Sequence, residues 1–490
     1  LSLSVWFFIC SGLFLGWSLG ANHAVNVFGT AVTSRMLKFK TAALIGGIFA
    51  VLGAILSGGG TTETLNNLGG INAIAGSFTV ALAVGISITW MTKAKLPVST
   101  SQAVIGAIIG WNLFTGTPTD LSSLFKIFIS WVISPVIAGI FAFLIFVLIK
   151  KTILKQRIHL LLLDNYTRTG LIVVGALASY SLGANNIANV MGMFVSASGF
   201  EDILTPYFTI SGTQQLFFLG GVSIAAGMMT YGEKVMVTVG KDLYKISPIT
   251  GFTIVLAEFL VLTMFTSKEL ESVLISLNLP TIPLVPLSTT QAFIGAVIGV
   301  GLAKDPASIN FRVFRKITLG WVLAPLIAGI ISFVSLFFVQ NVFEQKVINP
   351  VPYRISDSVL DKLKSDGVPT QSILDMKGIE FDNKKTFRNE LLERYDFNNS
   401  QLFILFKYAI VDSFYIDTLK LSNDIKAELT AAQFEKIKSL QNRSFSYKHE
   451  FEKSLFHRDS IWNDTRNRFS EKETKGRKNK LEQIFRINTF

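Results

Sequence analysis

Ser18-Leu19-Gly20-Ala21-Asn22-His23-Ala24-Val25-Asn26-Val27-Phe28-Gly29 returns later in the chain as Ser181-Leu182-Gly183-Ala184-Asn185-Asn186-Ile187-Ala188-Asn189-Val190-Met191-Gly192. Eight of these twelve positions are identical. Two further pairs follow in the same order. PVSTSQAVIGAIIG (97–110) agrees with PLSTTQAFIGAVIG (286–299) at ten of fourteen positions, and WVISPVIAGI (131–140) with WVLAPLIAGI (321–330) at seven of ten. Shared order makes the two halves repeats. Internal repeats in apolar sequence point to a secondary transporter with its site between the halves.

Composition supports a membrane core. Half the residues are hydrophobic, charged residues make up 16%, and the mean hydropathy is +0.47. These values lie above an ordinary soluble domain and below a bare bundle of spans. The intermediate value has a cause: residues 1–341 hold 19 of the 45 Lys and Arg, and residues 346–490 hold the other 26 with 21 Asp and Glu. A membrane core is therefore followed by a charged tail. Cys10 is the single cysteine, which excludes an internal disulfide and a cysteine-based metal cluster. There is no nucleotide phosphate loop and no Ser-His-Asp spacing, so nothing suggests an enzyme or a nucleic-acid partner. The chain begins at Leu1 and not Met, which leaves its N-terminus open. Its first apolar run is too long for a signal-peptide core and carries the repeated motif, so it reads as structure.

Apolar stretches lie near 3–34, 41–57, 71–92, 97–113, 126–149, 169–199, 213–231, 247–266, 281–303 and 317–341. A spanning helix needs about 20 residues. The expectation is ten crossings, with the two long asparagine-bearing helices broken at Gly-Ala-Asn, where glycine weakens the helix and asparagine competes for backbone groups. With ten crossings, one set of loops holds seventeen Lys and Arg, centred on 35–40, 93–95, 150–168, 233–245 and 304–316, and the other holds only Lys126 and Lys268. Basic loops stay cytoplasmic. Five crossings per half also invert the second half relative to the first. The expected fold is thus an all-α, multi-pass inner-membrane protein with broken helices: residues 1–165 form the first repeat, 166–345 the inverted second repeat, and 346–490 a mainly helical soluble domain.

The repeated polar residues are the candidate substrate site: Asn22, Asn26, Ser99, Thr100, Ser101, Gln102, Asn185, Asn189, Ser288, Thr289, Thr290 and Gln291. Pro followed by three hydroxyls and an amide is a helix-start pattern, and free N–H groups at a helix N-terminus suit a tetrahedral oxyanion. Unwound carbonyls would coordinate a cation. The competing explanation is that small polar residues simply join transmembrane helices.

Residues 1–341 resemble the inorganic phosphate transporter (PiT) family of secondary phosphate permeases. The likeness rests on Gly20–Asn26 and its repeat at 183–189, on Pro97–Gln102 and its repeat at 286–291, and on Thr238–Leu243 with Ser247–Phe252. The resemblance implies an inverted-repeat symporter of inorganic phosphate, commonly a homodimer in the bilayer. It needs no organic cofactor, and its coupling cation is sodium or a proton. It also implies phosphate and cations held between the repeats, with Asn22, Asn26, Asn185 and Asn189 as sodium ligands. Family members usually carry an acid where His23 stands, and often one where Asn186 stands. Glu258 is the only acid well inside an apolar stretch of the core. His23, Asn186 and Glu258 are therefore the coupling candidates. His23 is either a proton carrier, since histidine titrates near neutrality, or a neutral hydrogen-bonding residue. Glu258 is either functional or a protonated packing residue.

The tail shows helical spacing at Ser356–Lys364 and Ala427–Leu440, and the apolar Gln401–Tyr415 reads as a buried helix. His449 and His457 are a weak metal signal, and Glu471–Lys480 is charge-dense. Sulfate is the alternative substrate, and a phosphate sensor signalling through the tail is the alternative of a different class.

Overall fold

The computed structural model describes residues 3–94, 98–117, 119–153, 158–204, 209–239, 247–277, 279–306, 311–381, 384–395, 397, 399–412, 414–418 and 431–456. Two compact units divide the chain: Leu1–Glu271 with Ile282–Asn349, and Ser272–Thr281 with Pro350–Phe490.

The first unit is built from two matching series of helices. The first series is α1 (Leu3–Thr33), α2 (Phe39–Ser57), α3 (Gly59–Gly69), α4 (Ile74–Lys93), α5 (Thr100–Thr115) and α6 (Leu121–Thr152). The second is α7 (Leu160–Met191), α8 (Gly212–Thr230), α9 (Gly232–Val239), α10 (Pro248–Thr266), α12 (Thr289–Lys304) and α13 (Phe311–Asn341), with α11 (Lys268–Ser276) between α10 and α12 in sequence and divided between the two units. Between α7 and α8 in sequence, β1 (Ile203–Leu204) pairs antiparallel with β2 (Thr209–Ile210). Among the described residues seven helices, α1, α2, α4, α6, α7, α10 and α13, are long and apolar enough to cross a membrane. The expected ten crossings are not all of this kind, because α5 and α12 have only 16 residues each.

Packing pairs one series with the other. α1 packs on α8 as α7 packs on α2, and α5 packs on α13 as α12 packs on α6. The repeated glycines explain these pairs. A Cβ on Gly20 would run into the Ile224 carbonyl, and one on Gly183 into the Ala50 carbonyl. Likewise Gly106 meets the Pro325 carbonyl and Gly295 the Pro135 carbonyl. The second motif of each half thus sits against the third motif of the other half. Without side chains in the way, helix backbones approach closely, which is how helices associate where lipid removes the hydrophobic drive. The best apolar windows of α6 and α13 are only 28% and 22% buried, so their Val136, Leu144, Leu326 and Phe337 faces are left for lipid.

Direction follows from contacts. α4 runs parallel to α1, since Phe7 stacks on Phe78 and Ser18 bonds Thr89. α10 runs antiparallel to α1, with Gly251 against Thr30 and Glu258 facing Asn26, and parallel to α7, with Gly170 against Phe252 and Ser181 bonded to Thr263. α7 therefore opposes α1, and the repeats are inverted.

Two expectations need correction. α1 and α7 run unbroken through Gly-Ala-Asn. Glycine there serves close approach, and the asparagines find partners outside their own helices, so neither weakens the helix. The interruptions fall instead between α4 and α5 and between α10 and α12. Thr92 near the end of α4 and Val98 just before α5 both reach Asn22, eleven residues before the end of α1, about 16 Å at 1.5 Å per residue. Pro97 and residues 240–246 lie outside the described residues.

The second unit contains α14 (Asp357–Ser365), α15 (Lys384–Arg394), α16 (Asn399–Ala409), α17 (Ala431–Lys438) and α18 (Lys448–Phe456). It also has two antiparallel pairs, β3 (Tyr353–Arg354) with β4 (Glu380–Phe381) and β5 (Phe414–Tyr415) with β6 (Ser444–Phe445). Ser356 caps α14 through Val359 N–H. Its core gathers Tyr353, Val359, Leu363, Phe387, Leu405 and Phe406. The helix expected over 401–415 ends at Ala409, because Val411 N–H bonds the Pro352 carbonyl and Phe414 pairs with Phe445. Ala427–Thr430, His457 and Glu471–Lys480 lie outside the described residues.

Candidate functional site

Two helices begin face to face. Ser99 caps α5 by accepting from Gln102 N–H at 3.3 Å, and Ser288 caps α12 by accepting from Gln291 N–H at 3.2 Å. Each start is tied to the other. Ser101 Oγ donates to the Leu287 carbonyl at 2.8 Å, and Thr290 Oγ1 donates to the Val98 carbonyl at 3.0 Å. Ser101 and Thr290 are repeat mates, as are Val98 and Leu287, so the crossed bonds obey a pseudo-two-fold relation.

The asparagines of α1 and α7 hold these starts in place. Asn185 clamps Leu287, with Nδ2 donating to its carbonyl at 2.9 Å and Oδ1 accepting its N–H at 2.8 Å. Asn22 makes the looser counterpart, reaching the Val98 carbonyl at 3.5 Å while Oδ1 accepts from Thr92 at 3.4 Å. Asn189 Nδ2 donates to Ser101 Oγ at 2.9 Å and to Asn186 Oδ1 at 3.3 Å. All twelve candidate site residues and the three coupling candidates are buried. Asn22, Asn185, Asn189 and the two hydroxyl motifs thus form one hydrogen-bonded cluster, joined by His23 and Asn186.

The repeats differ at one place in this cluster. His23 stands between the two helix starts, with Nε2 3.0 Å from Thr100 Oγ1 and Nδ1 3.0 Å from Thr289 Oγ1. Asn26 Nδ2 lies 3.4 Å from Nδ1. With that amide donating, the ring proton sits on Nε2 and points at Thr100. Asn186, at the equivalent position, turns back to the Leu182 carbonyl of its own helix. Glu258 is fully buried on α10 and faces Asn26 without completing a hydrogen bond to either carboxyl oxygen. Its repeat mate, aligned through Thr89 and Thr263, is Val84.

The chemistry available here is two-sided. Two helix starts aim N–H groups and positive dipole ends at a shared point, which favours an anion. No buried Lys or Arg stands among the described residues, so that preference comes from backbone and hydroxyls. Several buried oxygens lack donors: Gln102 and Gln291 Oε1, Asn189 Oδ1 and both carboxyl oxygens of Glu258. Such oxygens suit a hard cation, so the residues present fit a coupling sodium. Sequence reasoning missed Thr92 and the Val98 and Leu287 carbonyls. Backbone carbonyls leave no mark in a residue pattern, although Thr92 has a repeat mate in Thr266 that would have signalled it.

Comparison with known proteins agrees with this architecture. The chain is 27% identical over 405 residues to a candidate phosphate permease of Pyrococcus furiosus, covering 66% of this chain and 93% of that protein. It is 23% identical over 435 residues to one of Chlamydia trachomatis, covering 68% and 98%. A solved sodium-dependent phosphate transporter shares the fold with a TM-score of 0.56 and 22% identity, over 69% of this chain and 99% of that one. The profile of the phosphate transporter family matches residues 19–167, 161–332 and 270–486. The chain belongs to the phosphate transporter family and is a multi-pass membrane protein.

Proposed function

We propose that this chain imports inorganic phosphate by cation symport, binding the oxyanion where α5 and α12 begin. The observation that carries the reading is the pair of crossed bonds, Ser101 to Leu287 and Thr290 to Val98, which holds two helix N-termini head to head. Each contributes N–H groups that no intrahelical carbonyl takes. An anion drawn there lowers the energy of both dipoles at once.

Coupling follows from the oxygens that face the same cluster. Asn22, Asn26, Asn185 and Asn189 would hold sodium, with Glu258 supplying the negative charge. A buried carboxylate without a partner is unfavourable in a low-dielectric core. Binding a cation, or a proton, relieves that cost, so occupancy of the cation site and closure around phosphate favour each other. His23 brings no charge to the place where family members usually carry an acid, so Glu258 is left as the core's own acid. The name of the structural relative supports sodium as the cation.

Uptake of radiolabelled phosphate into proteoliposomes, with an imposed sodium gradient, a proton gradient or neither, tests this. Gradient-dependent accumulation is expected. Phosphate binding with no uptake under any gradient would favour a sensor and sink the symport reading.

A further inference from the structure

We infer that residues 345–349 form a clip that restrains the transport cycle. While the clip grips α4 and α5, the helix start at Ser99 is held against the one at Ser288, and each turnover needs the clip to let go. The inference rests on the phosphate-transport reading and assigns Asn72 and Trp111, which lie outside the repeated polar motifs, as positioning residues.

The clip begins where α13 ends. Glu344 turns the chain with a φ of 52°, in the left-handed region, and Gln345 N–H closes that turn on the Val339 carbonyl at 3.0 Å. Glycine usually fills this position at a helix C-terminus. The chain then comes back onto the first repeat. The Val347 carbonyl accepts from Trp111 Nε1 at 3.2 Å, near the end of α5. The same carbonyl covers Gly76, near the start of α4, where a Cβ would collide with it. Two positions on, Asn349 and Asn72 exchange three bonds. Asn72 Nδ2 donates to the Asn349 carbonyl at 3.0 Å, Asn349 N–H donates to Asn72 Oδ1 at 3.0 Å, and Asn349 Nδ2 donates to the Asn72 carbonyl at 2.7 Å.

These ties lie at the ends of α4 and α5 remote from the cluster. Gly76 faces Trp111 there, while Thr92 and Val98 meet Asn22 at the other ends. Sixteen residues of α4 separate Gly76 from Thr92, about 24 Å at 1.5 Å per residue. Every candidate site residue is buried, so phosphate passes only when the crossed bonds from Ser101 to Leu287 and from Thr290 to Val98 break and the two starts part. A helix start moves with its helix. The clip fastens α4 and α5 to the end of α13, which opposes that movement.

Its hold is weak enough to release. Val347 is buried and Ile348 half-buried, but 342–346 and Asn349 are exposed. The Asn72–Asn349 bonds are exposed as well, so water replaces them at little cost. A left-handed residue with a Cβ, such as Glu344, adds strain that release removes. Segments with few buried contacts and exposed hydrogen bonds open at the low end of the free-energy scale.

The test uses the full chain in proteoliposomes, with radiolabelled phosphate as the probe. In a Cys10→Ser background, Asn72→Cys and Asn349→Cys are joined by a short bifunctional methanethiosulfonate that reductant removes. Joining should lower uptake at least about tenfold, and reductant should restore it. Trp111→Phe removes only the indole N–H. It should raise the maximal uptake rate by about fivefold with the phosphate KM within about twofold, because one net hydrogen bond no longer holds the clip shut. A static brace would instead lose rate and melting temperature together. If the cysteine pair does not fold or does not join, Trp111→Phe decides alone. Native-rate uptake by the joined chain, or a maximal rate that stays level or falls in Trp111→Phe, overturns the inference and leaves phosphate transport standing. No phosphate uptake by the native chain overturns the transport reading and this inference together.

Discussion

Ser101 Oγ donates to the carbonyl oxygen of Leu287 at 2.8 Å, across 186 positions of sequence. One repeat's helix start is thereby anchored on the segment that leads into the other's. Thr290 returns the bond to Val98. Because hydroxyls and preceding carbonyls make these ties, they take none of the N–H groups in the first turn of either helix.

Asn185 and Asn22 are repeat mates of unequal strength. Asn185→Ala leaves the buried N–H of Leu287 unpaired and removes one of the two donors to its carbonyl, which keeps Ser101 Oγ, at about 1–3 kcal/mol for the group left unpaired. Asn22→Ala loses only long contacts. Thermal unfolding in detergent should show the larger drop for Asn185→Ala, and equal drops would contradict the clamp.

Gly106 has no room for a side chain against the Pro325 carbonyl. Gly106→Val forces α5 and α13 apart and should destabilise by about 3 kcal/mol. Gly59, whose nearest neighbour would be the mobile end of Lys268 at 3.6 Å, is the control. Gly59→Ala should leave the melting temperature within error. A stable, monodisperse Gly106→Val protein would speak against this packing.

His23→Asp places a carboxylate beside amide and hydroxyl oxygens, which hard cations favour. The sodium concentration giving half-maximal uptake should fall by about tenfold, roughly 1.4 kcal/mol. His23→Asn, which copies Asn186, serves as the uncharged comparison. Unchanged sodium dependence in His23→Asp defeats the argument from the missing acid.

Glu258→Gln keeps the shape of the buried carboxyl and removes its charge. Gradient-driven accumulation should drop at least about tenfold, while exchange of internal for external phosphate persists, because exchange needs no net cation movement. Equal loss of both activities would mean that Glu258 only supports packing.

The basic asymmetry together with the inverted helix directions predicts Lys151 inside and Glu344 outside. In a Cys10→Ser background, an impermeant thiol reagent should label Glu344→Cys on intact cells and reach Lys151→Cys only after permeabilisation. Both positions are exposed. Labelling of Lys151→Cys on intact cells would reverse the orientation.

The sequence by itself determined the repeats, their inversion, the apolar core with its charged tail, and the polar residues that gather in one buried cluster. Each of these is written in residue type and spacing: Gly20 and Gly183, Ser99 and Ser288, Gln102 and Gln291 recur because both halves solve the same packing and capping problem. Family membership was legible for the same reason. Only the tertiary structure decided how the motifs are used. Gly-Ala-Asn read as a helix break, yet α1 and α7 run straight through it, because the glycines admit Ile224 and Ala50 backbones and the asparagines find carbonyls 76 and 102 positions away. No local propensity reports a partner so distant. The place of His23 between Thr100 and Thr289 was equally hidden. A substituted acid is visible in one dimension, but the two hydroxyls that receive it come together only when α5 and α12 meet.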